Sequence, residues 1–300
     1  MPEIKVISTE PEVGNKPYVA YELEEDTARV AYHYEVDPQF FLTVTDGEWN
    51  NYSASIWEDG YDVTQAQEKK LDKFAEMMGL KPGMRIMDVG CGWGGPLVYL
   101  CKTYGVQGYG ITVSPMQIPI AEARAERYGV DVTFEVVHWQ ELPEVETYDA
   151  IFTDEVIVHF NDLSGFFAKC HKLLKKGGML VNKELHFTHS SHTHWTDRLS
   201  QHINKVYAYT GNYRTLVEEL TLLDQNNFQI VEVHQIPIES YRKTIDDVWL
   251  KNLHERREEL EAMTSPEHVA DFRAYLKAIM VCFRYDFLGL HMVAGKKLSR

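Results

Sequence analysis

The chain has 300 residues, 44% of them hydrophobic, enough to bury a substantial core, and this length predicts one core with an elaborated cap rather than two. Its 45 acidic side chains against 30 basic ones leave a formal charge of −15. That charge repels phosphate backbones and anionic membrane surfaces at long range, which excludes a nucleic-acid partner and leaves room only for a local basic pocket around one anionic group.

The four cysteines, Cys91, Cys101, Cys170 and Cys282, have no close-paired spacing, so neither a zinc site nor a disulfide framework is expected and a reducing compartment fits. The first residues, MPEIKVISTEPEVGNKP, lack the apolar centre of a secretion signal, and nowhere do 18 apolar residues run together. No stable membrane insertion is therefore expected, and a cytoplasmic location is.

Residues 1–60 read as an N-terminal arm with short helices: 1–24 are polar, acidic and proline-bearing, and 25–45 supply the helices. From residue 61 to 300 the chain reads as one α/β domain. A helix over TQAQEKKLDKFAEMMGL (64–80) and a Lys81-Pro82-Gly83 turn lead into the apolar strand MRIMDVG. Strands follow at about 106–112, 132–137, 148–153 and 178–184, separated by helical stretches such as PMQIPIAEARAERYG. A sixth strand is expected near 228–236 and a last one at about 289–297. The alternation predicts a Rossmann-like, seven-stranded, mostly parallel sheet. Two insertions interrupt it, at about 186–222 and 240–285, both expected to be helical caps, the first rich in His and Tyr.

In such a sheet, ligands bind beyond the carboxyl ends of the strands, and the first strand-to-helix turn needs glycines for close backbone approach. The run DVGCGWGG (88–95) sits at that turn. Dinucleotide enzymes and structural tight turns also use glycines, but a pyrophosphate-binding fold spaces them as GxGxxG and carries an acidic residue after the second strand. Here that strand ends in Gly110-Ile111-Thr112-Val113-Ser114, so the ligand's ribose must find other partners.

The stretches HYEVDPQFF, NYSASIWEDGYDVTQAQEKKLD, LKPGMRIMDVGCGWGG and GYGITVSPMQ, with SYRKTIDDVW (240–249) later on, occur in an order and spacing that resemble the cyclopropane-fatty-acid and mycolic-acid cyclopropane synthase family, from about residue 29 to the end. The resemblance implies a class I methyltransferase using S-adenosylmethionine and releasing S-adenosylhomocysteine. It implies that Tyr52 and Ser53 reach the methionine carboxylate, Gly90 and Gly92 line the methionine and ribose, Thr112 and Gln117 contact ribose hydroxyls, and Trp139 packs beside the adenine. Hydroxyls and an amide suit a diol, and an indole face suits a purine. For Trp139 alone, a core aromatic is the competing reading. Asp88, Cys91 and Gly94 of the same loop are counted in the cofactor-binding set as well, Asp88 as a residue that orders the loop through hydrogen bonds rather than touching the cofactor.

In that family, an alkene is methylated and the resulting cation loses a proton, with bicarbonate held by a Cys, Glu, His and Tyr set as base. This chain resembles only part of the set: Ala54 replaces the cysteine, Val158 the glutamate and Asn182 the histidine, while Tyr241 is retained. Glu155, at the end of the fourth strand, resembles in placement the glutamate of the NNES-like motif in geranyl diphosphate C-methyltransferases and the first glutamate of the ExxEH motif in plant alkaloid N-methyltransferases. A carboxylate there can stabilise a cation and take its proton. Glu184 is the second candidate base. His159 either orients Glu155 or contacts substrate, or is a packed, hydrogen-bonded histidine.

The run His186-Phe187-Thr188-His189-Ser190-Ser191-His192-Thr193-His194-Trp195 has no standard zinc spacing, so a polar cap surface is expected, with magnesium entering only to bridge a diphosphate substrate. Tyr207, Tyr209, Tyr213, Phe187 and Trp195 are read either as an aromatic wall for a cation or as packing. Arg198, Lys205, Arg214, Arg242 and Lys243 are read either as a diphosphate pocket or as surface.

The leading functional expectation is C-methylation of an alkene in a prenyl diphosphate or other unsaturated lipid-like substrate. N-methylation of a small amine comes next, then cyclopropanation with a rewired base. A cofactor-binding protein without transfer activity is the reading from a different class. Residues 1–24 are a candidate lid.

Overall fold

The computed structural model describes residues 22–34, 36–195 and 212–298. Arg198, Lys205, Tyr207, Tyr209, the side chains of His194 and Trp195 and residues 1–21 of the proposed lid at 1–24 lie outside the described residues. In chain order the helices and strands are α1 (Leu23–His33), α2 (Pro38–Thr45), α3 (Val63–Met78), β1 (Arg85–Val89), α4 (Gly95–Tyr104), β2 (Gln107–Thr112), α5 (Ile118–Tyr128), β3 (Val132–Val136), β4 (Tyr148–Asp154), α6 (Leu163–Leu173) and β5 (Leu174–Phe187). Then come β6 (Arg214–Thr215), α7 (Leu216–Gln225), β7 (Phe228–Ile236), α8 (Ile238–Arg242), a π-helical turn at Lys243–Trp249, α9 (Leu250–Glu255), α10 (Arg257–Met263), α11 (Pro266–Arg284) and β8 (Leu288–Lys297).

The strands form one sheet in the order β3-β2-β1-β4-β5-β8-β7, with the two-residue β6 paired to β5. Strands β3, β2, β1, β4 and β5 are parallel, and β8 runs antiparallel to both neighbours. The Rossmann-like class I methyltransferase fold is thus present, with seven long strands and a short eighth among the described residues. The chain leaves β1 toward β2 and β3, then returns to the other side of β1 for β4. The crevice beyond β1 and β4 is therefore the topological switch point, where such sheets bind ligands.

Alternate residues of a strand face opposite sides, and the core divides accordingly. Ile86 and Phe152 face the layer holding Phe74, Leu97, Phe40 and Phe41, whereas Met87, Val89 and Ile151 face Phe166, Phe167 and Leu222. Helices α1 and α2 belong to the first layer: Phe40, Phe41 and Val44 are fully buried in it with Leu71 of α3.

Helix α3 starts on a capping box between Asp62 and Gln65 and stops at Gly79 in the left-handed conformation, as the residue pattern demands. The segment 186–222, expected to be helical, instead opens as strand. His186 and Phe187 complete β5, held by pairing to Gly289 and Leu288 of β8, and Arg214 and Thr215 form β6 before α7 begins. Apolar cross-strand partners override the polar look of that run.

Candidate active site

Beyond β1 the loop Gly90–Gly94 turns through left-handed backbone at Gly90, Gly92 and Gly94 (φ +81°, +53° and +76°). At Gly90 a side chain is excluded twice, because its Cβ would also stand 2.7 Å from Val156. The N–H groups of Gly90 and Cys91 both donate to the Ile111 carbonyl at 2.9 Å, which pins the loop to the end of β2. Backbone therefore orders this loop. Asp88, expected to do so, instead turns its buried carboxyl into the crevice; burial, then the charge of Asp154, pushes that carboxyl well above the usual range. Gly94 packs against Phe134 and Ala121 and lines neither cleft described below; its place in the binding set is structural.

Two clefts meet at this loop and share Tyr34, Gly90, Gly92, Gln117 and Val156. The first, of about 650 Å³, is walled by Thr112, Trp139, His159 and Phe160 and roofed by Thr27 and Val30 of α1. Thr112 donates its hydroxyl to Gln117 Oε1 at 2.6 Å, so the two side chains expected at the ribose form one unit. Trp139 is both things the sequence allowed: it packs at 5.4 Å from Phe166 and 5.7 Å from Phe160, and it lines the cleft. Burial pulls the His159 imidazole down to about 4, so the ring is neutral at pH 7. His159 lines the first cleft, while the Glu155 carboxylate is held by the Ala54 N–H and Lys183.

The second cleft, of about 510 Å³, is lined by Asn51, Tyr52, Ser53, Cys91, Trp93, Asp154 and Glu155. Tyr52 stacks against Trp249 at 5.1 Å. Burial, then Asp88, raises the Cys91 thiol well above its ordinary value, so it stays protonated. Beneath lies a buried ionic group whose two lysines sequence reading missed. Lys70 reaches Asp154 at 2.6 Å and the Ser53 hydroxyl at 2.5 Å, and Ser53 donates to Asp154 at 2.7 Å. Lys183 bonds Asp154 at 3.0 Å and also pairs with Glu155. Burial alone would raise the Asp154 carboxyl, but Lys183 and Lys70 hold it down at about 2. Burial lowers Lys70; at Lys183 it pulls the same way, and the two carboxylates outweigh it, so that ammonium is raised.

Glu155 takes a left-handed φ of +58°, a strained conformation for a non-glycine residue that surrounding contacts must enforce. Its N–H donates to the Lys183 carbonyl at 2.7 Å, and its carboxylate accepts the Ala54 N–H at 2.7 Å. Glu184 stands apart from both clefts. It accepts the N–H groups of Val158 (3.0 Å) and Leu185 (2.8 Å) and lines a cavity of about 190 Å³ with His186, Arg214 and Glu219. Burial raises its carboxyl to about 8. Asn182 donates to Glu219 at 3.0 Å, and Glu219 bonds His186 at 2.6 Å. Tyr241 is buried on Phe283 with ring centroids 3.9 Å apart, and burial, then Glu155, keeps its hydroxyl protonated.

No group of three or more His, Cys, Asp or Glu suited to a metal ion occurs among the described residues. Arg214 is buried and donates to the carbonyls of Ile157, Phe160 and Asn212, while Arg242 pairs with Glu239 and Asp247. The four cysteines are free and buried. No described helix is long and apolar enough to cross a membrane.

A family model described as mycolic acid cyclopropane synthetase matches residues 21–293. The chain belongs to this family. Cyclopropane mycolic acid synthase 1 of Mycobacterium tuberculosis is 24% identical to this family member over 295 residues, covering 92% of the chain and 99% of the relative. Cyclopropane-fatty-acyl-phospholipid synthase of Escherichia coli (strain K12) is 32% identical over 151 residues, covering 50% of the chain and 38% of that enzyme's length. In fold, the chain is similar to the cyclopropane synthase MmaA2 from Mycobacterium tuberculosis (24% identity, TM-score 0.83), covering 90% of this chain and 98% of that one.

The family member is an S-adenosylmethionine-dependent methyltransferase related to cyclopropane- and fatty-acid-type enzymes. The crevice fits the cofactor: a side chain built at Gly92 would meet nothing within 4 Å, and Asn51 and Trp93 Nε1 are buried at its edge without partners among the described residues. Thr112, Gln117 and Trp139 supply the first cleft with groups suited to a nucleoside.

Proposed function

We propose that this enzyme methylates an alkene carbon of an unsaturated acyl lipid and that a protein carboxylate, Glu155, takes the place of bicarbonate in removing the proton. S-adenosylmethionine, when bound, supplies an electrophilic methyl group on a sulfonium. The residues do the rest: the glycine loop and clefts hold it, Glu155 faces the developing positive charge, and its carboxylate receives the proton that leaves. A carboxylate preorganised by Ala54 N–H and Lys183 needs no rearrangement when the cation forms.

The observation that carries this reading is what stands at the positions where the family's bicarbonate ligands are replaced. The Ala54 N–H holds Glu155, the Val158 N–H holds Glu184, and the Asn182 amide holds Glu219. Each altered position is bonded to a carboxylate of this chain. Glu155 is favoured over Glu184 because it lines the cofactor crevice, whereas a carboxyl raised to about 8 holds its proton at neutral pH.

Among the described residues, Arg214 and Arg242 of the basic set are committed to carbonyls and carboxylates, which counts against a prenyl diphosphate as the acceptor. The test is mass spectrometry of reactions with unsaturated phospholipid vesicles, free unsaturated fatty acids, prenyl diphosphates and small amines, run with wild type and Glu155→Gln. A methylated acyl chain lost in the variant is expected. Products from amines or prenyl diphosphates alone would overturn the proposal.

A further inference from the structure

After α2 the chain crosses the start of α4 in a loop whose path is tightly fixed. Asn50 takes a φ of +44° and donates its amide to the Leu42 carbonyl at 3.2 Å. Arg124 clamps the loop from α5, donating to the Glu48 carbonyl at 2.5 Å and to Asn50 Oδ1 at 2.8 Å. The Trp49 N–H donates to Gln67 Oε1 at 3.1 Å. Gly95 lets the loop lie directly on the helix, because a Cβ there would stand 1.8 Å from the Trp49 carbonyl oxygen and 3.3 Å from Asn51 Oδ1. The first turn of a helix exposes unpaired N–H groups and a partial positive charge.

The side chain that this anchored loop delivers to the cleft is not bonded in the same way. Asn51 is 4% exposed, and neither its Oδ1 nor its Nδ2 has a partner among the described residues. Trp93, 4% exposed on the same cleft, has an equally unpartnered Nε1. A buried amide left without hydrogen bonds is costly, so two such groups opening on one cleft point to a ligand that completes them. Ser53, implied by the family resemblance as a carboxylate contact, has its hydroxyl held between Lys70 and Asp154.

We propose that Asn51 and Trp93, over the first turn of α4, form the receptor for the amino-acid tail of S-adenosylmethionine. Two N–H donors suit the carboxylate, and Asn51 Oδ1 is the acceptor for the ammonium group. Neutral readers match the surroundings: the carboxylates of Asp154 and Glu155 are already balanced by Lys70 and Lys183, so a zwitterionic tail adds no net charge. This inference rests on the cofactor and is independent of the acceptor.

The test is calorimetric binding to the whole chain of three probes: S-adenosylhomocysteine, its decarboxylated analogue, and 5′-methylthioadenosine, which has no tail. Asn51→Ala should weaken S-adenosylhomocysteine about ten- to hundredfold and leave 5′-methylthioadenosine within about twofold. The decarboxylated analogue should lose less, in proportion to the missing carboxylate. Trp93→Phe keeps the ring and removes only the N–H, and should weaken S-adenosylhomocysteine selectively by about three- to tenfold. It carries the test if Asn51→Ala does not fold. Unchanged S-adenosylhomocysteine affinity, or equal losses for all three probes, would overturn the proposal.

Discussion

Replacing Lys183 by Met removes one of two cations from a group that contains Asp154 and Glu155. Lys183 is fully buried and its partners are 8% and 13% exposed, so little water is available to take over its charge. Breaking a buried pair from one side costs about 3–5 kcal/mol, because the remaining charge loses its partner without regaining solvent. Lys70 still faces Asp154 at 2.6 Å, which leaves Glu155 as the exposed loss and puts the expected value near about 3 kcal/mol. At roughly 2–4 °C per kcal/mol, melting should fall by about 6–12 °C.

The assay is urea unfolding at pH 7 with thermal melting beside it. Adding Glu155→Gln to Lys183→Met should recover at least about 1 kcal/mol, since the pair is then removed together. The pH dependence follows from Asp154: a carboxyl held down at about 2 adds stability that is present above its unfolded value near about 3.9 and lost as pH falls toward about 2. The gap between wild type and Lys183→Met should narrow across that window. A loss under about 1 kcal/mol, or single and double variants that simply add, would refute the reasoning.

Glu184 gives the opposite sign. A carboxyl raised to about 8 makes the fold less stable as pH rises from the unfolded value near about 4.3 through about 8, so Glu184→Gln should gain on wild type over that range in melting curves; parallel curves would contradict it. Gly90→Ala combines left-handed backbone with a contact at 2.7 Å to Val156, and should abolish measurable S-adenosylhomocysteine binding in calorimetry. Trp139→Ala should weaken both S-adenosylhomocysteine and 5′-methylthioadenosine about five- to tenfold, while Trp139→Phe retains most of the affinity.

The sheet and its glycine loop were legible because their signals are local. The apolar run at 84–90, the left-handed glycines after it and the alternation along β7 follow directly from side-chain periodicity and backbone sterics. The long β5 was less legible: His186 is buried by Glu219 and by the β8 pairing, partners that only the folded chain brings near. The π-helical turn at Lys243–Trp249 carries no sequence signature that propensity could read.

In the site, the crevice-lining residues on motif positions were legible, but the groups that hold them were not. Lys70 sits on the buried stripe of α3 with Ala66, Leu71 and Phe74, where a helical period calls for an apolar side chain. Lys183 likewise interrupts a buried strand. Those two misfit lysines were the available signal for the ion group. Asn51 gave none, since an Asn-Asn pair shortly after Asp46-Gly47 reads as an ordinary turn.

The most direct test of the account measures methyl transfer to unsaturated acyl chains in buffer stripped of bicarbonate and in buffer supplemented with it. The account predicts a product heavier by one methylene, formed at equal rates in both buffers by wild type and lost in Glu155→Gln. A reaction that requires added bicarbonate, or one that survives unchanged in Glu155→Gln, would contradict it.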